Sequence, residues 1–319
     1  MRGVYYDGST IRLSRDLPEP IIRDGEVGLA VRMVGICDTD VQLSQGYMKF
    51  RGILGHEFVG RTADGRRVTS EINNSCHVCP TCRAGLPHHC PSRSVLGILN
   101  HDGAMADRVA VPERNLHSIP DSISDEEAVF IEPLAAAFRI TEQVEMSPST
   151  KVTVVGDGKL GLLSTWVLRL TGASVTLVGK HPEKLGLAGE SVATCSLEEA
   201  GKLARSQDVV VDCTGSTTGF GTALRLVRPC GTVVLKTTVV GDHTLGLAPI
   251  VVDEVRVIGS RCGPFPPAIA ALASKRIDVK PLIAGVLSLD DAEEAFRRAM
   301  LPGARKILLD VGSGQTVPN

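Results

Sequence analysis

Two patterns of hydrophobic and polar positions divide the chain. Up to about residue 125, short stretches such as VGLAVRMVGI (27–36) and MADRVAVP (105–112) alternate apolar and polar residues between glycines and prolines. This alternation predicts antiparallel strands. From about residue 134 to 264, valine-rich runs bounded by glycine alternate with amphipathic segments. The second pattern is typical of a parallel sheet covered by helices on both faces.

The pattern also predicts individual elements and a division into domains. In the second region, strands are expected at KVTVVG (151–156), SVTLVG (174–179), DVVVDCTG (208–215) and GTVVLKTTVV (231–240), and helices at LGLLSTWVLRL (160–170), from about Pro182, and at GTALRLV (221–227). The tail adds a helix at LDDAEEAFRRAM (289–300) and a strand at RKILLDV (305–311). Because 319 residues suit two domains, we predict one at 1–133 with 265–319 and a Rossmann-type α/β domain at 134–264.

Composition and charge narrow the class of protein. With 43% hydrophobic residues, 22% charged residues and a net charge of −2, the chain has no global attraction to nucleic acid or to anionic membranes. The start of the sequence lacks the pattern of a secretion signal, and no apolar run approaches the roughly 20 residues that span a bilayer. We therefore expect a cytoplasmic protein without nucleic-acid or membrane partners.

Nine cysteines are many for a compartment that keeps thiols reduced, and clustered cysteines there favour metal binding. Cys76, Cys79, Cys82 and Cys90 have the spacing C-x2-C-x2-C-x7-C, which predicts a closed, tetrahedral structural zinc site. The alternative is a nucleic-acid-binding zinc ribbon, but this segment has few basic residues and no aromatic platform. The four cysteines beyond residue 190 are expected to be small buried apolar residues.

A glycine-rich turn follows the first predicted strand of the second region. Its sequence is Gly156-Asp157-Gly158-Lys159-Leu160-Gly161, and it leads directly into a predicted helix. In this context the glycines allow a tight turn, close approach of a pyrophosphate and close helix packing. The pattern predicts a dinucleotide site, and a glycine-rich turn without a ligand is the alternative.

The end of the second strand bears on which dinucleotide is bound. An acid at this place would bind the adenosine ribose and select NAD. Here the strand ends in Gly179-Lys180-His181, so the acid is missing and a positive charge is present. The sequence therefore favours NADP over NAD, unless Lys180 is only a solvated loop residue.

Three further segments carry candidate ligands for a catalytic metal. Cys37 precedes Thr39 and Asp40, His56 precedes Glu57, and Glu132 precedes a proline at the start of a predicted helix. Catalytic zinc takes three protein ligands and one open position. Taken singly, each residue also has a structural explanation, as core filler, buried imidazole or helix-end charge.

Together these motifs resemble the zinc-containing medium-chain dehydrogenase superfamily, in its alcohol, polyol and threonine dehydrogenase branches. The resemblance runs almost end to end and includes, besides the segments above, Asp102-Gly103-Ala104, Ile131-Glu132-Pro133-Leu134, Asp212-Cys213-Thr214-Gly215 and Ile258-Gly259-Ser260-Arg261. It implies a GroES-like catalytic domain, a Rossmann cofactor domain, and hydride transfer between an alcohol and NAD(P) that gives a ketone or aldehyde.

The resemblance also implies roles for particular residues. Cys37, His56 and Glu132 would bind the catalytic zinc, with Glu57 as an occasional alternative ligand. Thr39 would carry the substrate proton and Asp40 would orient His56. The cofactor would contact the glycine-rich turn, Gly179, Lys180 and Thr214.

Other features leave alternatives open. Gln42 stands where many relatives have a proton-relaying histidine, the segment between Lys180 and Asp208 is short, and Lys236 stands where relatives have a small residue. Two rivals are a reductase of the same fold without catalytic zinc and a non-catalytic cofactor-binding or regulatory protein. For the dehydrogenase, the glutamate ligand favours a polyol, a sugar or a hydroxy-amino acid as substrate, and relatives suggest a homodimer or homotetramer.

Overall fold

A computed structural model describes residues 1–238 and 246–312. The chain forms two compact units. One unit contains Met1–Glu132 together with the chain from Ala268 onward, and the other contains Pro133–Pro267. Among the described residues, no helix is both long and apolar enough to cross a membrane.

The first unit is dominated by β-strands. One sheet has the order β2-β1-β4, a second has the order β10-β6-β5-β3-β18-β17 with β9 also paired to β3, and β7 pairs with β8. The strands are β1 (Gly3–Tyr6), β2 (Ile11–Ser14), β3 (Glu26–Gly35), β4 (Gly52–Ile53), β5 (Glu57–Arg61), β6 (Arg67–Ser70), β7 (Asn73–Asn74), β8 (Ser94–Val95), β9 (Arg108–Pro112), β10 (Leu116–Ser118), β17 (Ile283–Ser288) and β18 (Lys306–Asp310).

Short helices complete this unit. They are α1 (Asp38–Ser44), α2 (Pro80–Arg83), α3 (Asp125–Ala128) and α10 (Ala292–Ala299), while α4 (Ile131–Gln143) and α9 (Phe265–Ala273) contain the points where the chain passes between the units. The predicted helix at 289–300 is thus eight residues of α-helix, preceded by a 3-10 turn at Leu289–Asp291. Ser124 precedes α3 and forms a capping box with Glu127. The two side chains accept hydrogen bonds from backbone N–H groups that have no partner within the helix.

The register around β3 positions the site described below. Gly35, the last residue of β3, pairs with Glu57 of β5 on one side and with Leu308 of β18 on the other. A Cβ atom on Gly35 would lie 2.9 Å from Oε2 of Glu57 and 3.3 Å from Cδ of Lys306. Glycine therefore leaves room at this position for two charged side chains from distant parts of the sequence.

The second unit is a six-stranded parallel sheet of order β13-β12-β11-β14-β15-β16. In sequence terms this is the 3-2-1-4-5-6 order of a doubly wound dinucleotide-binding fold. Its strands are β11 (Lys151–Val155), β12 (Ser174–Gly179), β13 (Ala193–Ser196), β14 (Gln207–Asp212), β15 (Val227–Leu235) and β16 (Arg256–Gly259), and its helices are α5 (Lys159–Arg169), α6 (Pro182–Leu185), α7 (Gly219–Leu226) and α8 (Ala248–Val252).

Buried valines hold helix α7 against this sheet. Val155, Val210 and Val233 are buried at 2% exposure or less and pack in one cluster with Phe220 and Leu226 of α7. At about 25 cal/mol per Å² of buried apolar area, such residues supply the main stabilising term for the layer. This packing explains why the valine-rich runs predicted the strands correctly.

The predicted α/β fold class is confirmed, and several details differ. The helix predicted from Pro182 has four residues and continues as a 3-10 turn at Gly186–Ala188. The strand predicted at 231–240 ends at Leu235, and residues 239–245, like 313–319 of the predicted first domain, lie outside the described residues. Strand β13 was not predicted, because its half-exposed residues lack an apolar run.

One expectation about cysteines was wrong. Cys230 is exposed and has a φ of 57°, at a kink early in β15, rather than being a buried apolar residue. The other three scattered cysteines are half-buried.

We predict that Gly161→Ala destabilises the second unit. A Cβ atom there would overlap the carbonyl oxygen of Gly156 and lie 2.9 Å from its carbonyl carbon, which is backbone that cannot rotate away. Overpacking of this kind costs about 1–3 kcal/mol. The matched control is Gly158→Ala, because a Cβ atom at Gly158 would meet nothing within 4 Å. Denaturant unfolding without cofactor measures both, and equal stabilities of the two variants would contradict the prediction.

Candidate active site and metal centres

The turn from β3 into α1 fixes the first candidate ligand. Cys37 is the N-cap residue of α1, and its sulfur accepts a hydrogen bond from the backbone N–H of Thr39 at 3.5 Å. In return, the carboxylate of Asp40 accepts from the backbone N–H of Cys37 at 2.8 Å. This reciprocal capping places Thr39 in the first turn of the helix, directly beside the cysteine sulfur.

Asp40 also positions the second candidate ligand. Its side chain is fully buried, and Oδ1 accepts from the backbone N–H of Gly55 at 3.2 Å. The same oxygen lies 3.4 Å from Nδ1 of His56. This contact is too long for a good hydrogen bond, and among the described residues Nδ1 is a buried nitrogen without a hydrogen-bond partner. The carboxylate therefore orients the imidazole ring chiefly through its charge.

The structure brings a thiol, an imidazole and a carboxylate together. One ligand atom each from Cys37, His56 and Glu57 lies within 4.8 Å of the other two. Glu132, which the sequence analysis ranked above Glu57 as the third zinc ligand, is not a member of this group. It is buried in the first turn of α4. Among the described residues, the carboxylate that approaches Cys37 and His56 is therefore that of Glu57.

A buried lysine accompanies Glu57. The ammonium of Lys306 in β18 donates to Oε2 of Glu57, and it lies 5.9 Å from the ring centroid of Phe130. Both charged side chains are at most 2% exposed. The other carboxylate oxygen, Oε1, is buried and has no hydrogen-bond partner among the described residues. Lys306 therefore holds one oxygen of Glu57 and leaves the second available to a cation.

The charges in this pocket depend on one another. Burial and the nearby carboxylate of Glu57 raise the pKa of the Cys37 thiol, against the effect of His56 and Lys306. Burial lowers the pKa of His56, but Asp40 and Cys37 outweigh it and raise that pKa well above its usual value. Burial likewise lowers the pKa of Lys306, and Glu57 and Cys37 outweigh it, so the ammonium stays charged.

This donor set fits a zinc ion. Thiolate sulfur, imidazole nitrogen and carboxylate oxygen are the three ligand types of catalytic zinc sites. One buried ligand atom of this cluster, Oε1 of Glu57, lacks a partner within the described part of the chain, and buried polar atoms without partners are costly. A divalent cation bound by the cluster would compensate for that cost.

The four cysteines of the second cluster are also together. The ligand atoms of Cys76, Cys79, Cys82 and Cys90 all lie within 4.8 Å of one another, and the sulfur of Cys90 is 3.6 Å from that of Cys76 and 3.9 Å from that of Cys79. Tetrahedral zinc with Zn–S bonds of about 2.3 Å requires sulfurs roughly 3.8 Å apart. These distances fit a metal site and exclude disulfides, whose sulfurs are bonded at about 2.05 Å.

The surroundings of this cluster shift the pKa values of its thiols in opposite directions. A backbone N–H of Cys76, followed by the hydroxyl of Ser92, lowers the pKa of Cys90 to about 6, and the hydroxyl lies 3.3 Å from the sulfur. The N–H of Cys82 donates to the sulfur of Cys79 at 3.5 Å. Burial and the neighbouring sulfur of Cys79, in contrast, raise the pKa of Cys82 to about 12. Only deprotonated sulfur binds zinc, so at Cys90 the donors favour the form that a metal needs.

The glycine-rich turn has the geometry of a phosphate cradle. Gly156 has a φ of 114°, which only glycine adopts without strain. Gly158 is the N-cap of the eleven-residue helix α5, and the space beside its Cα is open. Glycine at these two positions lets a ligand approach the backbone at the helix N-terminus, where N–H groups and positive potential fit a pyrophosphate. Lys159 and Leu160 form the first turn of α5 and are half-exposed.

The loop after β14 packs beside this turn. The backbone N–H and the hydroxyl of Thr214 both donate to Oδ1 of Asp212, at 3.0 and 2.8 Å. Thr237 donates to the same oxygen at 3.0 Å. A Cβ atom on Gly156 would lie 2.6 Å from the carbonyl oxygen of Cys213. Thr214 is therefore held rigidly next to the glycine-rich turn.

The structure shows the contacts of Lys236, whose role could not be predicted from the sequence. Its side chain is buried, and the ammonium donates to the backbone carbonyls of Ala136 at 2.6 Å and Arg261 at 3.0 Å and to the hydroxyl of Ser260 at 3.3 Å. Because an ammonium has three donors, these three acceptors match its capacity. Lys236 thus ties the end of β15 to two neighbouring segments of the second unit.

Two other functional candidates were missed. Lys306 and Asp157 are each charged residues within otherwise apolar or glycine-rich motifs. A lysine directly before a buried apolar run, as in RKILLDV (305–311), is a signal of a buried ion pair, because burying its charge alone would be unfavourable. The partner could not be found from the sequence, since Glu57 lies 249 residues away.

The parallel sheet, the glycine-rich turn and the two candidate metal centres together are typical of a nicotinamide-dependent zinc dehydrogenase. Residues 23–121 match the alcohol dehydrogenase GroES-like domain, and residues 160–275 match the zinc-binding dehydrogenase family. The chain is 30% identical to D-xylulose reductase A of Aspergillus oryzae over 92% of each chain. The chain therefore belongs to the zinc-containing medium-chain dehydrogenase superfamily.

Solved structures agree with this assignment. The fold superposes with a TM-score of 0.87 on a Sinorhizobium meliloti 1021 protein described as a zinc-binding dehydrogenase and bound to NADP, at 27% identity and with 97% and 99% of the two chains covered. It superposes with a TM-score of 0.88 on an Escherichia coli CFT073 alcohol dehydrogenase complexed with NADH, at 25% identity and 98% and 99% coverage. The GroES-like and Rossmann fold prediction and the oxidoreductase prediction are confirmed.

We predict that Lys306→Met is strongly destabilising. It leaves the carboxylate of Glu57 buried without its counter-ion, and breaking a buried pair in this way costs about 3–5 kcal/mol. The double variant with Glu57→Gln should recover part of that loss. Free energies of unfolding of the metal-free protein, from urea titration, measure the effect.

The matched control for this prediction is Lys202→Met. Lys202 pairs with Glu199 at 2.7 Å, but both side chains are more than half exposed, so its loss should change stability little. Equal losses in the free energy of unfolding for the two lysine substitutions would show that the buried pair stabilises the protein no more than an exposed pair does.

Proposed function

We propose that the chain interconverts a polyol, a sugar alcohol or another secondary alcohol with its carbonyl form, using zinc bound by Cys37, His56 and Glu57. The observation that carries the proposal is the approach of these three ligand atoms to within 4.8 Å of one another. The D-xylulose reductase from A. oryzae, similar over 92% of the chain, supports the polyol class. Unlike the sequence prediction, this proposal makes Glu57 the third ligand and Glu132 the alternative.

The chain's own residues would divide the work. When bound, the zinc supplies a Lewis acid for the substrate oxygen and the nicotinamide supplies or accepts the hydride. Asp40 holds the imidazole of His56 in place, a role that typically matters by about 10- to 100-fold in metal affinity or activity. The hydroxyl of Thr39, two residues from Cys37, would accept the proton of the substrate hydroxyl while it passes its own proton on. We propose that the proton then reaches solvent without a histidine, because residue 42 is glutamine.

The two parts of the chain would have separate tasks. We propose that residues 1–133 with 265–319 form the catalytic zinc domain and that 134–264 form the cofactor domain. The four-cysteine cluster would hold a second, structural zinc, because four sulfurs leave no open coordination position. The total is then about two zinc ions per chain.

The cofactor would bind along the glycine-rich turn. Gly156, Gly158 and Gly161 would admit the pyrophosphate, Lys159 and Leu160 would present their backbone N–H groups, and Thr214 would lie alongside. The positive charge of Lys180 favours NADP over NAD, whereas Asp157 acts in the opposite sense.

We propose that the chain forms a homodimer or homotetramer. Strand β16 is an end strand of the six-stranded sheet, and next to it Val251 and Val252 are 74% and 78% exposed while Val257, within the strand, is 36% exposed. No described strand pairs with the outer edge of β16, and an unpaired edge beside exposed apolar residues favours pairing with a second copy.

The catalytic proposal predicts distinct effects of three substitutions. Wild-type protein should contain about two zinc ions per chain and oxidise at least one of a panel of polyols and secondary alcohols with NAD or NADP. Cys37→Ser should lose one zinc and all turnover, and Cys79→Ser should lose the other zinc. Thr39→Val should keep both zinc ions but lose about 10²- to 10⁴-fold in kcat.

Metal analysis and absorbance of the reduced cofactor make these measurements, with Thr39→Ser and Cys230→Ser as controls that should retain zinc and turnover. Protein that carries two zinc ions but turns over none of the panel would argue for a non-catalytic role. Retention of both zinc ions by Cys37→Ser would remove the proposed ligand set.

The oligomer proposal predicts that Val257→Lys yields a smaller species, because a lysine on an edge strand opposes strand pairing. Light scattering coupled to size-exclusion chromatography measures the mass. Ile21→Lys, at a residue that is 75% exposed in the first unit, is the control and should leave the mass unchanged. A wild-type protein of about 34 kDa, the mass of one chain, would contradict the proposal.

A further inference from the structure

The space left by a missing side chain at the end of β12 is filled by another residue. In doubly wound folds, an acid at the end of the second strand binds the adenosine ribose of NAD, and here that strand ends with Gly179. A Cβ atom on Gly179 would lie 2.6 Å from Cβ and 2.7 Å from Cγ of Asp157. The carboxyl group of Asp157, from the glycine-rich turn, therefore occupies the volume of the absent side chain.

The carboxylate is held in this place by several donors. Its Oδ2 accepts from the backbone N–H groups of Lys180 and His181, both at 2.7 Å. Its Oδ1 lies 3.0 Å from Nδ1 of His181, and the residue is only 7% exposed. Burial raises the pKa of Asp157, but the hydrogen bonds from His181 and Lys180 outweigh it and lower that pKa. The group is fixed and negatively charged.

Two consequences follow for a bound dinucleotide. A carboxylate oxygen offers two lone pairs, and Oδ1 has His181 as its one hydrogen-bond partner among the described residues, so it can accept from a ribose hydroxyl. A 2′-phosphate at the same place would instead meet a fixed negative charge at short range. The opposing charge, the ammonium of Lys180, belongs to an exposed side chain and is therefore more strongly screened by solvent.

We infer that Asp157 takes the place of the missing strand-end acid and makes NAD the preferred cofactor. The inference rests on the proposed dinucleotide site and identifies which form that site selects. It changes the preference drawn from the sequence, where Lys180 was the only charge considered.

Binding of reduced cofactor tests the inference without reference to catalysis. Fluorescence titration of the zinc-loaded, full-length protein with NADH and with NADPH gives both dissociation constants. Wild-type protein should bind NADH roughly tenfold or more tightly than NADPH. Asp157→Asn, which keeps the shape and removes the charge, should bind NADPH more tightly and lose most of this ratio. Glu183→Gln removes an exposed acid from the neighbouring helix α6 and should leave the ratio unchanged.

A second variant tests the role of the carboxylate in case Asp157→Asn disturbs the glycine-rich turn. The double variant Asp157→Gly with Gly179→Asp moves the carboxylate to the other chain position and should restore the preference for NADH. Gly179→Asp alone should weaken binding of both cofactors, because its Cβ atom would overlap the side chain of Asp157.

The outcomes separate the two proposals. If wild-type protein binds neither NADH nor NADPH, the proposed function fails. If it binds both equally, or NADPH more tightly, the dinucleotide site stands and the role of Asp157 is refuted. An unchanged ratio in Asp157→Asn would refute it as well.

Discussion

The arrangement of the first unit depends on burying opposite charges together. Glu57 and Lys306 are among the most buried side chains of the unit, and either one alone in an apolar interior would cost several kcal/mol. Lys306 binds Oε2 of the Glu57 carboxylate. The other oxygen, Oε1, has no hydrogen-bond partner among the described residues. Cys37 and His56 lie in this pocket, and the same charges that shift their pKa values are those that a divalent cation would engage. The buried ion pair between Glu57 and Lys306 and the candidate metal site therefore depend on the same carboxylate.

This constraint links the start of the chain to its end. Gly35 pairs with Glu57 on one side and with Leu308 on the other, so the pocket is complete only after β18 has joined β3. The pairing spans 249 residues, and contacts of such long range must overcome a large loop-closure entropy. We expect the zinc ligands to be properly placed only in the fully folded unit. Cys37 and Asp40 are an exception, because their reciprocal cap is local to α1.

The sequence predicted those features that depend on local patterns. Valine-rich runs bounded by glycine gave the strands of the parallel sheet, and the cysteine spacing predicted a cluster that the structure brings together. The choice between Glu57 and Glu132 could not be made locally. Successive residues of a strand point to opposite faces, which argues against His56 and Glu57 sharing a pocket. However, β5 begins only at Glu57, so His56 lies outside the alternation and both side chains can reach Cys37.

Asp157 shows a second limit of local reasoning. The glycine-rich motif treats its second position as variable, so the motif assigns that residue no role. The search for an acid at the end of the second strand likewise ends at Gly179. In three dimensions the two positions share one volume, and glycine at either permits a side chain at the other. Gly35 does the same for Glu57 and Lys306. In both sites a glycine leaves the space that a charged side chain from elsewhere in the chain fills, and the local sequence does not show which residue supplies that charge.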